Sequence, residues 1–105
     1  MNQFLFRTHQ LLSGQSSPTT GQYVVNTAAR KASLDVRATG VNGTSPTLKL
    51  FTKSSFDNTD IEYFSKTILT DGYYHFEVTG LPAASTKAGV QGTSGTFWIA
   101  LFQQN

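Results

Sequence analysis

The chain contains no cysteine, and that one absence excludes a disulfide framework, a thiolate metal site and a cysteine nucleophile. Charge is scarce as well. Asp, Glu, Lys and Arg make up 13% of the 105 residues, against about 25% in ordinary globular domains. The formal net charge of +2 is too small to drive strong phosphate binding. No apolar run approaches the ~20 residues of a membrane-spanning helix. Phe4-Leu5-Phe6 is interrupted at once by Arg7, His9 and Gln10, and no small-residue cleavage site follows, so neither a signal peptide nor a membrane partner is expected. The chain is expected to be made and assembled in the cytosol. No G-x-S-x-G elbow and no Gly-rich loop opening a helix are present, which removes the usual serine-hydrolase and phosphate-cradling signatures.

Small hydroxyls fill the place of charge, with 10 Ser and 15 Thr alongside Gly, Asn and Gln. They suit a polar, nearly uncharged surface over closely packed strands. One phrase occurs twice. Gly43-Thr44-Ser45-Pro46-Thr47-Leu48 is echoed by Gly92-Thr93-Ser94-Gly95-Thr96-Phe97, each a polar turn opening onto an apolar run. Ser33 to Thr39 alternates, with Leu34, Val36 and Ala38 on one face and Asp35, Arg37 and Thr39 on the other. That period of two is the mark of a half-buried antiparallel strand. Leu48 and Leu50 stand opposite Lys49, Phe51 and Lys53 in the same way. Asp71-Gly72 predicts a type I′ hairpin folding Tyr73–Thr79 back on Ile61–Thr70, with Tyr74, Phe76 and Val78 opposite His75 and Glu77. The 83–95 segment is small and polar and predicts at most a weak edge strand near Lys87–Gln91. Thr96 to Phe102, apolar on both faces, belongs inside a sheet or under a partner.

These patterns predict an all-β domain of about seven strands, an antiparallel β-sandwich or jelly roll. Residues 1–20 form an N-terminal arm or first strand plus a flexible joint from Ser13 to Gly21, and residues 21–105 form the sandwich. At this size a core needs no staples.

Candidate chemistry is sparse. His9 and His75 are the two imidazoles, and His75 falls on a polar strand face. Asp57, Asp60 and Glu62 lack the spacing of a calcium loop. No catalytic residue, metal or cofactor is assigned, and the chain is expected not to be an enzyme. Phe51 between Lys49 and Lys53 could stack a nucleic-acid base, but Asp35 on a neighbouring strand of that face would pair with a lysine, and Arg30-Lys31 is the only adjacent basic pair. Tyr73, Tyr74 and Trp98 are candidates for a glycan platform, although Tyr74 is expected inward and Trp98 lies in a doubly apolar strand.

From Gly21 to Leu101 the chain resembles a family of small bacteriophage virion proteins. The resemblance rests on Gly21-Gln22-Tyr23-Val24, Asn42-Gly43-Thr44-Ser45-Pro46-Thr47-Leu48, Ser55-Phe56-Asp57, Gly80-Leu81-Pro82 and Gly92-Thr93-Ser94-Gly95-Thr96-Phe97, in that order. Two departures stand out. The aromatic strand expected after Gly-Leu-Pro is replaced by Ala83-Ala84-Ser85-Thr86-Lys87-Ala88, and Tyr63 stands in for the usual Trp. The resemblance implies a β-sandwich that decorates a phage particle, as a cement protein on the major capsid lattice or as a tail or baseplate component. It also implies a virion location after assembly in the host cytoplasm, and self-association as a dimer or trimer. The expected contact residues are Phe4, Phe6, Phe51 and the 83–95 segment with Lys87 and Val90. Phe4 and Phe6 could equally complete the domain's own core.

Overall fold

The computed structural model describes residues 6–25, 31–41, 45–79, 85–92 and 94–104. Among them lie nine strands and no helix: β1 (Phe6–Ser16), β2 (Thr19–Thr20), β3 (Val24–Val25), β4 (Lys31–Thr39), β5 (Thr47–Lys53), β6 (Asp60–Thr67), β7 (Gly72–Glu77), β8 (Ser85–Gln91) and β9 (Thr96–Gln104). One sheet runs β1-β9-β4-β7 and the other β2-β8-β5-β6, all antiparallel, with β3 pairing further along β8. Taking β2 and β3 as one interrupted strand, the first pairs with the last, the second with the second-last, and so inward to the β5–β6 hairpin. A long antiparallel hairpin rolled up on itself in this manner is a jelly roll.

The alternating strands bury the faces that their sequence marks. Leu34, Leu48, Leu50, Phe97, Ile99 and Leu101 are each 0% exposed, and Val36 and Ala38 join them between the two sheets. A β-bulge between Gln10 and Leu12 turns both Leu11 and Leu12 into this core, which strict alternation would forbid. β9 is a central strand between β1 and β4.

Three expectations are corrected. The Ser13–Gly21 joint is largely structured: Ser13–Ser16 extend β1 against β9, and Thr19–Thr20 pair with β8. Asp71-Gly72 does not close a hairpin, because β6 pairs with β5 in one sheet and β7 with β4 in the other. A type I′ turn needs positive φ at both central residues, and only Gly72 has it, at 146°. The groups at this corner bond instead to the segment before β5. The Asp71 carboxylate accepts the Val41 N–H at 2.9 Å. Ile68, fully buried, caps the core while its N–H bonds to the Pro46 carbonyl. Lastly, Ser85–Gln91 is no edge but an interior strand, with Thr86, Ala88 and Val90 buried between neighbours on both sides. Its small side chains reflect that confinement; the ring of Phe51 lies 3.3 Å from where a Cβ on Gly89 would stand.

Candidate functional site

The outward positions of β4, β7 and β9 line an open groove of about 490 Å³ on the first sheet. The register sets its contents. Arg37 stands opposite Tyr73 on one side and Trp98 on the other, and Asp35 opposite His75 and Ala100. Trp98 is seated over β1, where Gly14 sits at φ 72° beside a register shift and a Cβ would come within 3.1 Å of the indole Nε1. The Arg37 guanidinium lies 4.6 Å from the Trp98 ring centroid and 5.8 Å from that of Tyr73. Tyr73 is 80% exposed. His75 Nδ1 donates to Asp35 Oδ1 at 2.6 Å, since an ionised carboxylate can only accept. Gln10 donates its Nε2–H to the Leu12 carbonyl at 2.7 Å and completes the rim.

An Asp–His pair is two parts of a hydrolytic triad, but among the described residues no hydroxyl hydrogen-bonds to His75. Both side chains are more than 60% exposed. A cation–π contact, a carboxylate and an exposed aromatic ring thus lie together on this face. Sequence reasoning proposed Tyr73, Tyr74 and Trp98, all of which line the groove, but not Arg37 between Tyr73 and Trp98. The alternation that puts Arg37 outward was readable, whereas the pairing of β4 with both β7 and β9 was not.

The outer face of the second sheet holds Lys49, Lys53 and Lys87, and Asp35 is not among their neighbours, being in the other sheet. Their charge is answered from β6 instead: Lys49 pairs with Glu62 at 3.0 Å and Lys87 with Asp60 at 2.6 Å. Asp60 also accepts from the Tyr23 hydroxyl, and the Tyr23 ring lies between Lys53 and Lys87, 4.8 Å from each ammonium. The Lys87 hydrogen bond, aided by that of Tyr23, holds Asp60 below the usual carboxylate range. Partial burial and Asp60 push the Tyr23 phenol up to about 12. Asp57 is occupied separately, its carboxylate accepting the Thr59 N–H at 3.1 Å. Among the described residues no group of three acidic or imidazole side chains is placed to hold a metal ion.

The proposed contact residues scatter. Phe4 lies outside the described residues, and Phe6 is placed by its backbone, opposite Gln104 in β1. Phe51 is half-buried against Gly89 and Lys87 of its own chain. Lys87 is tied to Asp60 with its side chain 16% exposed. Val90 is 1% exposed, inside the core, and offers a partner no surface. Among the described residues the large exposed hydrophobic side chains are, besides Tyr73, Phe56 at 95% and Ile61 at 47% at one end of β6, and Leu69 at 64% beyond the other. Phe56 rides on a firmly hydrogen-bonded turn, with Ser54 N–H donating to the Thr59 carbonyl and Ser54 Oγ accepting the Phe56 N–H.

No family model and no curated protein matches the chain. Solved structures do. One, described as the crystal structure of PirA, is 14% identical with a TM-score of 0.51, covering 100% of this chain and 97% of that one. Another, from Bacillus endospore appendages described as a novel family of disulfide-linked pili, is 12% identical with a TM-score of 0.44, covering 98% and 91%. The first likeness is one of fold alone; the second is too loose to argue from. Neither is described as a phage protein, so the virion resemblance rests on the motifs alone.

Proposed function

We propose that this chain is a non-catalytic structural subunit that attaches in many copies to a larger particle. The observation that carries this reading is the pair of exposed apolar points at opposite ends of β6, Phe56 at 95% and Leu69 at 64%. A large ring held in water by a rigid turn is an anchor awaiting a pocket. Two dissimilar anchors on one small body suit repeated contacts within a lattice, where modest affinities add through multivalency. The scarcity of charge favours crowding of like copies. The order of motifs supports a bacteriophage virion as the particle: a decoration protein on the capsid shell, or alternatively a tail or baseplate component, assembled in the host cytoplasm.

Cosedimentation of the purified chain with intact heads, and separately with tails, of the source particle tests this. Saturable binding to heads is the expected result, with Phe56→Ser weakening it about tenfold or more, the range of an aromatic interface anchor. Binding to tails alone moves the subunit to the tail. Binding to neither overturns the proposal.

A further inference from the structure

We infer that the groove on the β1-β9-β4-β7 sheet binds a carboxylate-bearing sugar, a uronic or sialic acid residue of a glycan. Arg37 is the reason for the carboxylate. Its guanidinium lies over the Trp98 ring, 4.6 Å from the centroid, and 5.8 Å from that of Tyr73. Among the described residues it has no ion-pair partner. Arg37 is exposed, and its N–H fork is open to an acceptor from outside. A planar carboxylate fits that fork in bidentate fashion, and a lysine ammonium cannot reproduce the geometry.

The surroundings of Arg37 supply what the rest of a sugar needs. Tyr73, 80% exposed, offers an apolar ring face to sugar C–H groups. Asp35 and Gln10 Oε1 are acceptors for ring hydroxyls, since the Gln10 amide N–H already serves Leu12. The Nε2 of His75 faces no protein partner among the described residues and adds a further polar contact. A volume of about 490 Å³ lies within the ordinary span of small-molecule sites, and its openness suits the end or branch of a glycan lying across the sheet. In this groove, among the described residues, Arg37 is one cation without an ion pair, too little for a nucleic-acid backbone, which requires several phosphate contacts. An acidic peptide would satisfy Arg37, but it would bring few hydroxyl donors for Asp35.

Trp98 is the single tryptophan of the chain, so its fluorescence reports on this groove alone. The full chain is titrated with glucuronic acid, galacturonic acid and N-acetylneuraminic acid, and with glucose, galactose and a glutamate-rich peptide as comparisons. The expected result is a saturable change with at least one acidic sugar, weaker by tenfold or more for its neutral counterpart, and the acid that saturates first identifies the glycan source. Arg37→Lys, with circular dichroism to confirm the fold, is expected to weaken binding by about tenfold, the value of a charged hydrogen bond. Tyr73→Ser is expected to weaken it independently. Phe56→Ser should leave it unchanged, which separates this site from the attachment surface proposed above. No saturable response to any acidic sugar, an Arg37→Lys variant that binds like the parent, or tighter binding of the peptide would each overturn the inference.

Discussion

Gly21 shows how much a single residue decides in this sandwich. Its N–H bonds to the Ala88 carbonyl at 2.8 Å, and a Cβ at this position would stand 2.5 Å from the Leu11 carbonyl oxygen. Gly21→Ala therefore forces the chain after β2 away from β1. We expect a loss of about 1–3 kcal/mol, the usual cost of overpacking, read as a lower urea midpoint at unchanged slope. Asp60 acts at the same scale through charge. Its folded value is depressed, chiefly by Lys87 and then by Tyr23, so its contribution is present above the ordinary aspartate value and is lost as pH falls through the depressed one. Thermal melts from pH 6 to pH 2 should show stability declining below about pH 4. Asp60→Asn should make that decline shallower. An equally steep decline in the variant would assign the acid sensitivity elsewhere, with Asp57, also depressed by its Thr59 hydrogen bonds, the next to replace.

Among elements, β1 makes the clearest prediction. It runs the length of β9 in register from Phe6↔Gln104 to Ser16↔Thr96, and brings Leu11 and Leu12 into the core. Deleting residues 6–16 should abolish the cooperative melt, whereas removal of a detachable arm would leave it intact. The inner faces of β4 and β5 were legible because Leu34, Val36, Leu48 and Leu50 alternate with polar residues. The role of β8 was less so: in Thr86-Lys87-Ala88-Gly89-Val90 the alternation is present, but side chains this small read as a loop until Phe51 is seen to lie over Gly89. Asp71-Gly72 misled for a related reason. A turn dipeptide reports local backbone freedom and says nothing about which sheet the next strand joins, and here Val41 and Pro46, some 25 to 30 positions earlier, determine that corner. The groove was hidden likewise. Arg37, Tyr73 and Trp98 become neighbours only through the pairing of β4 with β7 and β9.

The whole molecule is a single nested structure, with sheets that share one core. It should unfold in one transition, with Trp98 fluorescence and far-ultraviolet circular dichroism giving coincident midpoints. Separate midpoints would mean that the two sheets melt independently. The pairing of first strand with last also governs the birth of the chain. About 80 residues separate the end of β1 from the start of β9, so on the order of ten seconds pass during translation before β1 can meet its partner. Throughout that interval Leu11 and Leu12 have no finished sheet to enter. Where ribosomes follow closely on one message, the β1 of one nascent chain is available to the β9 of its neighbour, and strand exchange between copies is the error that this topology invites.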